Sequence, residues 1–282
     1  MKKIRIKADS TTYLHNLRRR EIDIVFCRCP KKLFAKVLEL GAGDGFVSTL
    51  LEEYSEQLVC TELNPDRLVK SDQNNITYKI CDAEKVGEVF KDKEFDMVFS
   101  SSLLEHLPNC DEALRGIHQV LADEGISIHF MPNRCWKLVT VLLHIPNKVG
   151  KVIDKILGGR IFKRRPGHKW FRPYKRKYMG HNIKLARRRQ FFLAKPFLPR
   201  IHGVSDNTIA EFIAFGKKQW IRRFESVGFK VLMVKKVVYS SGYGFGFDKL
   251  RRLMELLQFY TVYAYIVGKK NSESKYMTYF ID

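Results

Sequence analysis

The sequence predicts an α/β fold, a mostly parallel sheet covered by helices on both faces. Three observations predict it. Short apolar runs alternate with helix-period stretches along residues 35–132. Those runs are nearly continuous in apolar residues, as strands covered on both faces are. The first run leads into a glycine-rich turn, ELGAGDG, residues 39–45.

Each element follows in order. LHNLRRREIDIVF (14–26) predicts a helix with Leu14, Leu17, Ile22 and Phe26 turned inward. AKVLEL (35–40) is the first strand and FVSTLLEEYSEQ (46–57) a helix. LVCTEL (58–63) is the second strand, and Pro65 stands where a further helix would begin. ITYKICD (76–82) and FDMVFSSS (95–102) are the third and fourth strands. CDEALRGIHQVLADEG (110–125) reads as an amphipathic helix closing on Gly125, and ISIHFMP (126–132) as the fifth strand. After Pro132 the rhythm breaks for about seventy residues. It resumes with a helix, KKQWIRRFESVG (217–228), and two strands, FKVLMVKKVVY (229–239) and TVYAYIVGKK (261–270). Residues 271–282 read as a polar tail. The expected organisation is therefore one α/β domain, 1–132 and 201–270, interrupted by a basic insertion or cap at 133–200.

With 282 residues, 45% of them hydrophobic, the chain is long enough for a substantial core, and disorder is excluded. The start, MKKIRIKADS, has charges with no apolar region behind them, so no secretory leader is expected. No run reaches the roughly 18 apolar residues of a spanning helix. Of the six cysteines, Cys60 and Cys81 fall in predicted strands, where a thiol acts as a small hydrophobe. Cys27 and Cys29 form a C-x-C pair with no zinc-spaced partners. Reduced cysteines, a cytoplasmic location and no metal site are the expectation.

Charge is concentrated. Residues 131–200 hold 20 Lys and Arg against one acid, Asp154, and carry +19 of the net +21. That asymmetry concerns partners more than fold.

The glycine turn VLELGAGDGF (37–46) has glycines at 41, 43 and 45, which let the backbone turn tightly and admit a ligand. A dinucleotide fingerprint needs a glycine where Phe46 stands, and no Gly-Lys-Ser/Thr follows, so neither NAD nor a P-loop nucleotide fits. Glu62 ends the second strand, 21 residues after Gly41, where a carboxylate can accept hydrogen bonds from a ribose diol.

ELGAGDG, TELNP, CDAE and FDMVFSSSLLEHL, in that order and spacing, resemble the class I S-adenosylmethionine-dependent methyltransferases, most closely their small-molecule and glycan-modifying branch. The resemblance covers 35–132 strongly and 201–270 more weakly. It implies a Rossmann-like sheet of seven strands with the last antiparallel, and S-adenosylmethionine as cofactor. It also implies roles. Glu39, Gly41, Ala42, Gly43 and Gly45 would shape the pocket for the methionine part. Glu62 would hold the ribose hydroxyls, with Leu63 against the adenine. Asp82 and Ala83 would face the adenine amino group, and Ser100 and Ser101 would lie under the sulfonium. The sulfonium already activates its methyl group, so the protein mainly orients the reactants. A base is required only for a weak nucleophile such as a hydroxyl.

His106, after Glu105, and His202, in PRIHGVSD, are the candidates for that base. His129, inside the fifth strand, reads as a packed residue. Tyr239 and Tyr243 are further lining candidates.

In the insertion, Val149, Val152, Ile153, Ile156 and Leu157 fall on one helical face. The apolar WKLVTVLLHIP precedes them, and the basic, aromatic run FKRRPGHKWFRPYKRKY (162–178) follows. An amphipathic helix with basic flanks suits an anionic membrane surface, here through 136–180. A lid with solvated charges and an RNA-binding arm are the competing readings. The expectation is a methyltransferase acting on an oxygen of a small-molecule, sugar, glycan or lipid-linked acceptor, peripheral at the inner face of the membrane. An RNA- or protein-modifying methyltransferase and a non-catalytic binding protein of the same fold are the alternatives. SSSLLEH stands where an Asn/Asp-Pro-Pro-Tyr-type motif for base methylation would be.

Overall fold

The computed structural model describes residues 10–67, 75–156, 198–241 and 248–281. The run at 162–178, Leu157 and Tyr243 lie outside the described residues.

Seven strands form one sheet: β1 Phe34–Leu40, β2 Ser55–Glu62, β3 Ile76–Ile80, β4 Phe95–Ser101, β5 Leu121–Pro132, β6 Phe229–Lys236 and β7 Val262–Lys269. Their order is β3-β2-β1-β4-β5-β7-β6. The first five pair in parallel, and β7 runs antiparallel between β5 and β6. The predicted α/β class and the antiparallel last strand are both present. The order reverses beside β1, so the carboxyl ends of β1, β2 and β4 open onto one crevice, the place where open α/β sheets take ligands.

Both faces of the sheet are buried, and the strand period of two sorts the side chains between them. Met97, Phe99, Ile126, Ile128, Phe130, Ala264 and Ile266 enter one core. Leu38, Leu40, Val98, Met131, Tyr265 and Val267 enter the other. The first core is closed by α1 Ser10–Val25, through Tyr13, Leu17, Ile22 and Val25, and by α2 Phe46–Leu51. A short helix, α3 Val86–Val89, joins α4 Cys110–Val120 on the second face. Leu114, Ile117 and Val120 of α4 pack there. Each fully buried aliphatic or aromatic side chain contributes about 1.5–3 kcal/mol.

Three expectations are corrected. The helix expected over 46–57 ends at Leu51; a 3-10 turn, Glu52–Tyr54, follows, and β2 begins at Ser55, paired with Phe34. The helix expected over 110–125 ends at Val120. Leu121 is fully buried and pairs with Phe95, and the register shifts between Phe95 and Met97. Gly125 sits in that irregularity rather than at a helix end: a Cβ there would stand 2.8 Å from the Asp96 carbonyl oxygen. Finally, the expected polar tail folds back. Tyr276 and Phe280 are buried in the first core, with Tyr276 against Phe34 and Phe280 against Phe26. Their separation in sequence from any predicted element hid this.

After β5 come α5 Arg134–Leu142 and α6 His144–Ile156, and before β6 come α7 Thr208–Ala214 and α8 Lys217–Ser226. Trp220 and Phe224 of α8 join the second core. A last helix, α9 Asp248–Leu256, precedes β7. On α6 the apolar residues Val149, Val152, Ile153 and Ile156 face outward. No helix among the described residues is long and apolar enough to cross a membrane. All six cysteines are free, and Cys60 and Cys81 are buried.

Candidate functional site

The turn after β1 is built from three left-handed residues: Gly41, Gly43 and Gly45 have φ of 72°, 61° and 76°. Only glycine adopts that region without strain. A Cβ on Gly41 would also meet Leu103 at 3.1 Å. Ala42 anchors the turn by donating its N–H to the Thr61 carbonyl (2.9 Å).

Glu62 closes the other side. One carboxylate oxygen accepts the Gly43 N–H (3.0 Å) and the other the Asn64 N–H (3.1 Å). The Arg67 guanidinium stands 3.8 Å away. A carboxylate offers about four acceptor positions, so capacity remains for a diol. Beside it Leu63 is exposed, an apolar surface at the crevice mouth. Glu39 lies beneath the turn, buried, accepting the Ser48 hydroxyl. Burial pushes its pKa up to about 7, partly offset by the Ser48 hydrogen bond. Asp82 follows β3 and accepts the Glu84 N–H (3.0 Å), which orders the next turn and buries Ala83.

At the end of β4 the two predicted serines part. The Ser100 hydroxyl turns into the sheet, 2.8 Å from Nδ1 of His129, whose Nε2 meets Ser127. His129 is thus a packed strand residue, and burial holds it down to about 3. Only backbone atoms of Ser100 are left to face a ligand. The Ser101 hydroxyl is buried with no hydrogen-bond partner among the described residues. Ser102 is left-handed, φ 51°. It is held by its N–H on the Phe130 carbonyl and by Arg18 on its hydroxyl (3.1 Å).

The helix α1 covers the turn. His15 stacks flat on Phe46, ring centroids 3.9 Å apart, and reaches Asp44 at 2.8 Å. Arg18 bridges buried Glu21 and Ser102. The sequence reading missed this role of α1. Asp44 is 29 residues from His15 and Ser102 is 84 from Arg18, and the basic run 18–20 gave no sign of what it would meet.

Next to the crevice, Glu105, His106 and His202 come together. Each offers a ligand atom, and these lie within 4.8 Å of one another. The Glu105 carboxylate is 3.8 Å from His106 Nε2 and 3.9 Å from His202 Nε2. The two imidazoles meet edge to face at 4.5 Å. Glu105 is buried and held up to about 8, chiefly by desolvation. Burial pushes His106 down, and burial with the neighbouring His106 pushes His202 down to about 3. The distant His202 is delivered by a pinned loop. Glu211 of α7 accepts the His202 N–H (2.5 Å) and the Gly203 N–H (2.8 Å), and Val204 donates to the Glu105 carbonyl (3.3 Å). Glu211 is itself paired with buried Lys137 of α5, and Trp136 lies against His202. A metal-ligand grouping was not expected from the sequence, because its members are 96 residues apart.

Comparison with known proteins agrees with this layout. Residues 38–129 match the family model described as a methyltransferase domain. By this match, residues 38–129 form a methyltransferase domain.

The methyltransferase domain is 23% identical over 113 residues to a malonyl-[acyl-carrier protein] O-methyltransferase from Enterobacter lignolyticus, covering 40% of this chain and 45% of that protein. It is 30% identical over 101 residues to a mitochondrial protein of Danio rerio named an arginine-hydroxylase, covering 36% of this chain and 32% of that one. The chain thus spans less than half the length of these curated relatives. A solved structure described as an S-adenosylmethionine-dependent methyltransferase from Listeria monocytogenes matches with a TM-score of 0.53 and 13% identity. That match covers 91% of this chain and 100% of the other, and shows the fold. The family's cofactor is S-adenosylmethionine, and the domain's residues fit it. The left-handed turn leaves room against β1, Glu62 keeps acceptor capacity for the ribose, and the Ser101 hydroxyl has no protein partner. Tyr239 donates its N–H to Glu255 (2.8 Å).

Proposed function

We propose that the chain transfers the methyl group of S-adenosylmethionine to an oxygen of a sugar, glycan or lipid-linked acceptor held near a membrane surface. The observation that carries the transfer is Glu62, bound to the glycine turn through Gly43 with its remaining lone pairs toward the crevice. Gly41, Ala42, Gly43 and Gly45 seat the methionine part of the cofactor, over Glu39. Glu62 takes the ribose, Leu63, Asp82 and Ala83 the adenine, and Ser101 with the Ser100 backbone the sulfonium end. The acceptor enters beside Glu105, where His106 and His202 stand neutral at neutral pH. Burial pushes both imidazoles down, His202 to about 3, so each is a weak proton acceptor.

The insertion, 133–200, serves as the acceptor-side cap and membrane contact in this reading. Its support is the outward apolar surface of α5 and α6: Leu138, Leu142, Ile145, Val149, Val152 and Ile156, the last 77% exposed. Apolar residues so placed beside a +19 segment match an interfacial helix on an anionic leaflet. Two measurements test the proposal. Labelled methyl transfer to lipid-linked glycan fractions should depend on Glu62, and label entering RNA instead would overturn the acceptor class. Flotation with anionic vesicles should be lost on deleting 136–180; salt-sensitive RNA binding without flotation would refute the membrane part.

A further inference from the structure

We propose that Glu105, His106 and His202 bind a divalent first-row transition-metal ion. The geometry comes first. Two imidazole nitrogens stand 3.8 and 3.9 Å from one carboxylate oxygen. Ligands 2.1 Å from a tetrahedral centre are about 3.4 Å apart, so the two carboxylate–imidazole pairs need about half an ångström of contraction and the imidazole pair, which lies within 4.8 Å, up to about 1.4 Å. His106 ends a 3-10 turn, Leu104–His106, and His202 lies a few residues before α7; side-chain rotation at both can supply that movement.

The second observation is independent. The Glu105 side chain is 1% exposed, yet neither of its oxygens has a hydrogen-bond partner among the described residues. Buried carboxylates are normally satisfied, and an unsatisfied one requires an explanation. A cation between Glu105 and the two imidazoles satisfies both oxygens and uses the lone pairs of neutral histidines. The cationic side chains nearby do not fill that role. Lys137 is paired with Glu211, Arg18 with Glu21, and Arg67 faces Glu62.

The donor set selects the ion. Two imidazoles and one carboxylate suit Zn²⁺, Fe²⁺, Co²⁺ or Mn²⁺, whereas Ca²⁺ and Mg²⁺ prefer all-oxygen sites. Three protein ligands leave a position open, as catalytic sites do. Supporting contacts are in place: Glu211 fixes the His202 backbone, Trp136 packs on its ring, and Val204 ties the loop to Glu105. The site adjoins Leu103, which lies against Gly41 of the cofactor turn. That the open position takes an oxygen of the acceptor rests on the methyltransferase reading; the metal site does not.

The test uses tag-free, chelator-stripped full-length protein titrated with Co²⁺ in a calorimeter, without S-adenosylmethionine. One equivalent is expected to bind, and His106→Ala, His202→Ala and Glu105→Gln each to weaken binding about 100-fold. In the wild type, paramagnetic Co²⁺ should broaden the imidazole NMR signals of His106 and His202 and spare His118, a readout that needs no variant to fold. Absence of binding up to about 1 mM, or broadening of other histidines alone, overturns the proposal. Because methyl transfer is not measured, loss of this site and loss of the methyltransferase reading are told apart.

Discussion

At the end of β2 one carboxylate, Glu62, satisfies two backbone donors, Gly43 and Asn64, and keeps further acceptor positions. Hydrogen bonds to a charged group contribute about 1.5–3 kcal/mol each. Glu62→Ala is therefore expected to weaken binding of S-adenosylhomocysteine by at least about tenfold in calorimetry, with the fold retained by circular dichroism. Unchanged affinity would remove Glu62 from the cofactor site. A second residue reports on pH. His129 is buried between Ser100 and Ser127, and in the folded chain it is held down to about 3 from an ordinary value of 6.5. The unfolded chain takes up that proton near 6.5 and the folded chain does not. Its stabilising contribution is thus complete above that pH and declines as pH falls toward 3, by up to about 1.4 kcal/mol per unit. His202 acts in the same direction, and Glu39 and Glu105, held up by burial, act against it, so the readout is a difference: across pH 7 to pH 4 the stability of His129→Gln should fall less steeply than that of the wild type in denaturant titrations.

Among the elements, the residues just before α7 are held by their neighbours. The His202 and Gly203 amides end on Glu211, and Glu211 is neutralised by Lys137 from α5. Glu211→Ala leaves a buried ammonium without its partner, a loss of about 3–5 kcal/mol. Amide exchange at His202 and Gly203 should speed up more than at β1 strand amides; equal protection would show that the loop is held elsewhere. Element boundaries also show where local pattern misleads. Periodicity located α4 but carried it five residues too far, because Gly125 resembles a helix stop. What decided the matter was a neighbouring strand: Leu121 pairs with Phe95, and Gly125 is needed for the close approach to Asp96.

For the whole molecule, the C-terminal residues matter beyond their apparent polarity. Phe280 and Tyr276 lock α1 and β1 into the first core. Phe280→Ala is expected to cost about 3–5 kcal/mol, readable as a lower denaturant midpoint. Deleting 276–282 should destabilise further; a neutral result would make the segment an ornament. Since α1 carries His15 and Arg18 over the glycine turn, the same deletion should also weaken cofactor binding.

The sequence by itself determined the α/β class, the existence of the strands, the glycine turn after β1 and the place of Glu62 at the end of β2. These are local signals: an apolar run announces a buried strand, and a glycine needing φ near +70° announces a turn, whatever lies elsewhere. It also brought out His106 and His202 singly, the one just after the fourth strand and the other where the insertion returns to the core. Only the tertiary structure decided that they meet at Glu105, that Ser100 turns away from the crevice toward His129, and that α1 and the C-terminal segment close the first core. Those outcomes depend on contacts between residues tens to hundreds of positions apart. Burial, and with it the pKa of each group and the unsatisfied oxygens of Glu105, exists only once the sheet has packed.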